Sequence, residues 1–230
     1  MTQYEVITRA VRRRLAGGAG WERQKNKVGI VDISLNVGQG DIPVGADFRA
    51  FPADFIAAVG ELCDGLGRRH PQLRMEPGRR LHSTLLTLWH DPAAPPPGQG
   101  EALCRETARL VRPHNGFDFR FDRLLLTANG SLILVGDSAQ VVSLRERVYR
   151  EVKIAGALHK NIVHITLGRL VVDAPGTDMA RLFTDIGENR GRVALPPIAA
   201  CAAKFVVGGD TFATRYDVGQ TDRLNALLAG

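Results

Sequence analysis

Apolar residues along this chain recur with two periods, and the switches between them lay out the elements. After the breaker cluster Gly17-Gly18-Ala19-Gly20, the stretch from Lys27 to Val37 (KVGIVDISLNV) is rich in β-branched residues and predicts a strand. Gly38, Gly40, Pro43 and Gly45 then predict a loop. From Pro52 to His70 the positions Phe55, Ile56, Val59, Leu62 and Leu66 keep helical spacing, and Pro52 suits a first turn, where its missing N–H costs nothing. LHSTLLTLW, from Leu81 to Trp89, predicts a strand; DPAAPPPGQG, from Asp91 to Gly100, predicts a linker whose prolines extend neither strand nor helix.

Glu101 to Val111 predicts a short helix with Leu103, Ala108 and Val111 inward. FDFRFDRLLLTA and SLILVGD flank Asn129-Gly130, a dipeptide that favours the type I′ turn of a tight hairpin. Ser138 to Ile154 predicts a helix with Val141, Val142, Leu144, Val148 and Val152 available to pack, and Asn161 to Val172 (NIVHITLGRLVV) a strand. Thr177 to Ile186 predicts another helix, with Met179, Leu182 and Phe183 inward, before strand-like stretches at Lys204 to Gly208 and Thr211 to Val218. Strand, helix, strand thus recurs in the two halves, which predicts an α+β domain of antiparallel sheet backed by helices. The alternative, a doubly wound α/β sheet, conflicts with the antiparallel hairpin and lacks a Gly-rich phosphate loop.

Composition narrows the class without naming an activity. Of 230 residues 44% are hydrophobic, enough for a sizeable core, and 23% are charged, the balance of a globular chain rather than a disordered one. No apolar run approaches the roughly 18 residues that span a bilayer, and no apolar leader follows the first basic residues. Cys63, Cys104 and Cys201 are odd in number and widely spaced, so reduced thiols, a cytoplasmic location and no membrane partner are expected. The net charge of +6 is concentrated: residues 1–27 hold seven basic groups against Glu5 and Glu22, whereas the remainder holds 23 basic and 22 acidic. Such an arm could steer a polyanion such as RNA, although Val6, Ile7, Ala10, Val11 and Leu15 at helical spacing equally predict a solvated amphipathic helix.

The candidate chemistry lies in His82-Ser83-Thr84-Leu85 and His164-Ile165-Thr166-Leu167, two H-x-T-L segments 82 positions apart. With six histidines and twelve threonines, chance supplies roughly 0.3 H-x-T matches, so one copy means little and two within predicted strands mean more. Side chains at i and i+2 of a strand share a face, so His82 stands beside Thr84 and His164 beside Thr166. Two imidazoles can divide the work of base and acid near neutral pH, and two hydroxyls can donate to phosphoryl oxygens. That set suits a phosphodiester without a metal or other cofactor. For either histidine alone the ordinary alternative is a satisfied residue in a buried strand, and for the threonines it is β-propensity.

LHSTLLTL and VHITLGRL resemble the two H-x-T strands of the two-histidine (2H) phosphoesterases, which include 2′-5′ RNA ligase-like proteins and cyclic nucleotide phosphodiesterases. The resemblance implies a bilobal fold of two pseudo-repeated lobes with the site in the cleft between them, His82 and His164 as acid and base, and Thr84 and Thr166 on the phosphate. It implies a single bilobal domain over residues 27–218, with H-x-T strands at about 81–89 and 161–172, a basic arm over residues 1–26 and a tail over residues 219–230. Its substrate class is a cyclic or 2′,5′-linked nucleotide or an RNA terminus, and a monomer is expected. Asn161-Ile162-Val163 departs from the proline that many relatives carry before the second motif.

Other candidates are weaker on spacing. Arg169 lies at odd spacing from His164 and faces away from it in a regular strand unless a bulge intervenes, so a surface or structural role is expected. Arg80 shares the face of His82, as Arg79 does not; His70, His90, His114 and His159 fall in loop or terminal contexts. Phe48, Phe51, Trp89, Phe212 and Tyr216 could stack on a base, with core packing the default. A metal site at His82 and His164 lacks H-x-H, H-E-x-x-H or paired-carboxylate spacing to complete a shell. An RNA 2′-5′ ligase-like protein is an alternative, and, from a different class, a nucleic-acid-binding module without turnover would keep the cleft and use the basic arm for affinity.

Overall fold

The computed structural model describes residues 43–47, 50–76, 78, 81–88, 98–127, 131–152, 162–170, 181–182, 184–188, 191–205 and 226. The basic arm, the predicted strand at residues 27–37, the proline-rich run up to residue 97, the Asn129-Gly130 turn and the stretch over residues 211–218 lie outside them, as does all of the tail but residue 226.

Three helices form where the apolar spacing predicts them. Helix α1, Ala53–Arg69, begins after Pro52, carries Asp54 in its first turn and Arg68 and Arg69 in its last, each favourable to the helix dipole, and buries Phe55, Val59 and Leu66. Helix α2, Gln99–Val111, buries Leu103, Cys104, Thr107, Ala108, Leu110 and Val111 and carries a Glu101–Arg105 pair one turn apart on its outer side, 3.0 Å. Helix α3, Ala139–Glu151, is capped by Ser138, whose hydroxyl accepts from the Val141 N–H at 3.3 Å. It buries Val141, Leu144, Arg145 and Val148; Val142, expected inward, is 48% exposed because the stripe passes through 141, 145 and 148. In the region predicted as a helix over Thr177 to Ile186, Arg181 and Leu182 are helical and Thr184–Glu188 forms a π-helical turn, with Leu182 and Ile186 buried.

Eight strands are present among the described residues: β1 Pro43–Asp47, β2 Leu73–Met75, β3 His82–Thr87, β4 Phe117–Leu126, β5 Ser131–Asp137, β6 Val163–Leu170, β7 Ile198–Cys201 and β8 Ala203–Phe205. They make one sheet in the order β7-β4-β5-β6-β3-β1-β8, with β2 on β6, and every pairing is antiparallel. The class is α+β, in agreement with the recurrence of strand, helix and strand. The stretch expected as a loop at Pro43 and Gly45 is instead β1. Proline is tolerated as the first residue of a strand, and the register of β1 on β3 shifts at Val44/Gly45, where a glycine accommodates a bulge. β2 and β7 are too short to leave a period-2 signal in the sequence.

The recurrence has a spatial counterpart. In β1-α1-β3 and in β5-α3-β6 the two strands of each unit are antiparallel neighbours, and the second strands, β3 and β6, pair with each other. The halves therefore meet in a shared sheet at the two H-x-T strands. Helix residues Phe55, Val59, Leu144 and Val148 join sheet residues Leu85, Phe121, Leu134 and Ile165 in one core. Phe55 contacts Phe121 with ring centroids 5.8 Å apart. The other sheet face carries a smaller cluster, Leu125, Ile133 and Val135 with Ile162 against it.

Candidate active site

Ser83 of β3 is the direct partner of Ile165 of β6. In an antiparallel pair this register sets His82 opposite Thr166 and Thr84 opposite His164. Ser83 and Ile165 are fully buried, while the four flanking residues are all half-buried, so the four share the face turned away from the helical core. Directly opposed side chains stand with Cβ atoms about 4.5–5.5 Å apart, and diagonal ones reach each other through long or ring side chains. The strand alternation thus brings together all four residues the sequence singled out. It also locks them, since a slip of one residue would turn Ile165 and Val163 outward, and each such apolar side chain contributes roughly 1.5–3 kcal/mol when buried.

The rows continue across the sheet. Val135 is the partner of His164 and Arg123 of Val135; Ile133 is the partner of Thr166 and Leu125 of Ile133. The apolar cluster therefore adjoins the polar quartet on the same face. Arg123 is held by Asp122 at 2.9 Å and Asp137 at 3.0 Å. On the other side β1 sets Gly45 opposite Thr84 and Asp47 opposite His82.

Two arginines, Arg169 and Arg145, lie close to the quartet. The register of β5 on β6 shifts between Leu132 and Ile133: Ile133 pairs with Thr166 but Leu132 with Gly168, leaving Leu167 as the extra residue of a bulge. The burial along β6 changes phase at the same point, with Leu167 and Gly168 both buried. Arg169 is thereby returned to the face of His164 and Thr166, which corrects the expectation for a regular strand. Its Nη1 donates to Ser131 Oγ at 3.0 Å.

Arg145 is a residue that the motif spacing does not single out. From the buried stripe of α3 its Nε donates to the Leu85 carbonyl at 2.7 Å, and its Nη2 to the carbonyls of Thr84 at 3.3 Å and Ile162 at 3.0 Å. The β3–β6 ladder is anchored at the pair Ser83–Ile165, and the guanidinium ties carbonyls of β3 to that of Ile162, the residue just before β6. Burial lowers its pKa, with Tyr149 acting in the opposite sense, yet a guanidinium retains its charge. A signal for it does exist in the helix: Arg145 lies four residues after Val141 and three before Val148, a charge on an apolar stripe.

Of the other candidates, His70, His114 and Phe51 are among the described residues, and each has a structural setting. His70 is buried and bonded to Asp185 at 2.8 Å. His114 stacks on Phe117 at 5.1 Å, and burial, then the Arg147 charge, lowers its pKa. Phe51 is in the core, edge-on to Phe55 at 5.5 Å, and is not a stacking surface for a base. Arg79, Arg80, Trp89, His90, His159, Phe212 and Tyr216 lie outside the described residues, as does the placement of Phe48. Cys104 and Cys201 are buried and Cys63 half-buried, all three as thiols; burial, then neighbouring Asp64 and Glu101 respectively, raises Cys63 to about 11 and Cys104 to about 12.

No protein-family model matches the chain, and no curated protein matches it. Among solved structures, TT0787 of Thermus thermophilus is similar over 72% of this chain and 84% of its own, at 19% sequence identity and a TM-score of 0.45. No helix among the described residues is long and apolar enough to cross a membrane.

Proposed function

We propose that this protein is a 2H-type phosphoesterase that hydrolyses a cyclic or 2′,5′-linked nucleotide phosphodiester by metal-independent acid–base catalysis. The observation that carries the reading is the Ser83–Ile165 register, which puts two imidazoles and two hydroxyls on one sheet face in reciprocal pairs. With a 2′,3′-cyclic phosphate, one neutral imidazole takes a proton from water as its oxygen attacks phosphorus. The bond from phosphorus to one ribose oxygen breaks, and the other, protonated imidazole donates to that oxygen. Thr84 and Thr166 donate to the non-bridging oxygens, where charge grows in the transition state.

The experiment is hydrolysis of a nucleoside 2′,3′-cyclic phosphate in excess EDTA, followed by phosphorus NMR. A single monoester regioisomer is expected, the 2′-phosphate as in cyclic phosphodiesterases of the family. Loss of turnover on chelation, restored by zinc or manganese, would refute the metal-independent mechanism. Binding of the same compound without turnover would instead favour a nucleotide-binding module.

A further inference from the structure

Arg169 is the direct cross-strand partner of Arg74 on β2 as well as of Ser131 on β5. Partners in an antiparallel ladder project from the same face, and burial agrees: Leu73 and Leu170, the next pair along, are both buried on the core side, while Arg74 is exposed and Arg169 half-exposed. Like charges directly opposite one another destabilise a sheet unless something neutralises them. Neither arginine has a carboxylate partner among the described residues, in contrast to Arg123 with its two aspartates. Arg169 Nε is in addition a buried donor with no hydrogen-bond partner, a position that an incoming oxygen would satisfy.

The pair is built into the sheet. A Cβ on Gly168 would stand 2.7 Å from the Arg74 carbonyl oxygen, so only glycine lets β2 lie this close to β6. Arg169 follows Thr166 by three residues on the same face, a separation on the order of 10 Å or less along a bulged strand. We propose that Arg74 and Arg169, with Ser131, form a second anion subsite beside the two-histidine quartet, and that the substrate is a phosphodiester carrying a further phosphate one nucleoside away. The inference rests on the proposed phosphoesterase reading for what occupies the quartet. Guanidinium groups suit the role because they bind phosphate oxygens through directed, charge-assisted bonds.

The test is equilibrium binding, which does not depend on turnover. Calorimetry compares a nucleoside 3′,5′-bisphosphate with the 3′-monophosphate on the full chain and on Arg74→Gln, whose exposed side chain can be changed without opening the core. The full chain is expected to bind the bisphosphate about tenfold more tightly, the scale of one charge-assisted contact. Arg74→Gln should bring that ratio close to one, and Arg74→Lys should restore part of it. A ratio near one in the full chain, a preference that survives Arg74→Gln, or an equal loss for both ligands overturns the subsite. A bisphosphate preference that depends on Arg74 in a protein that hydrolyses no cyclic phosphate upholds the subsite and refutes the hydrolytic reading instead.

Discussion

Ser83 and Ile165 face each other across the β3–β6 pair, both fully buried, and their contact aligns the middle of one H-x-T segment with the middle of the other. The quartet is therefore reciprocal: each histidine has its own threonine along the strand and the other's threonine across it. An arrangement of that kind can use either imidazole as base, and the surroundings of the two rings then decide the roles.

Removing either ring should remove most of the activity. His82→Ala and His164→Ala are each expected to lower turnover of a 2′,3′-cyclic phosphate by about a thousandfold or more, and the double variant to be little worse. Thr84→Val and Thr166→Val should cost less, on the order of 100-fold. Steady-state kinetics on variants with unchanged circular dichroism decide it; near-normal turnover in either histidine variant removes that residue from the mechanism.

Turnover should also depend on pH as a bell. One imidazole must be neutral and the other protonated, so the rate falls on both sides of an optimum set by the pair rather than by either residue. A rate that climbs steadily into alkaline solution points to attack by hydroxide or a metal-bound water.

Arg145 is expected to matter for stability more than its single position on a helix suggests. Arg145→Met leaves the carbonyls of Leu85, Thr84 and Ile162 without its donors, which should destabilise the fold by about 3 kcal/mol. Arg145→Lys should recover part. Urea unfolding measures both, and a methionine variant within about 0.5 kcal/mol of the wild type would show that the carbonyls find other donors.

Gly168→Ala should separate β2 from β6. The added methyl meets backbone at Arg74, so relief requires strand movement, at about 1–3 kcal/mol for an overpacked site. The Glu76 N–H, which donates to the Leu167 carbonyl at 2.8 Å, should then exchange faster with solvent. Unchanged protection at Glu76 would contradict the close approach.

His114 supplies a pH dependence of stability with a defined sign. Burial and the Arg147 charge hold its folded pKa below the unfolded value of about 6.5. The unfolded chain then binds more protons, so this contribution is complete above about pH 6.5 and is lost as pH falls through the folded pKa. Urea midpoints between pH 5 and 7.5 should show His114→Asn with a flatter profile than the wild type over that window; parallel profiles would refute the assignment.

Features that depend on near neighbours along the chain were legible in the sequence. Apolar stripes of helical period placed α1, α2 and α3 almost to the residue, Asn129-Gly130 marked the β4–β5 hairpin, and the two H-x-T segments identified the quartet because side chains two apart on a strand share a face. Features that depend on register between distant strands were not legible in the sequence. Pairing of Ser83 with Ile165 brought two motifs 82 residues apart side by side on one sheet face. The extra residue at Leu167 returned Arg169 to that face, and the pairing of a three-residue strand set Arg74 against it. A strand's local pattern fixes only its alternation. A bulge reverses that alternation at the cost of one ladder position, and which strands meet is chosen by the burial of the whole sheet.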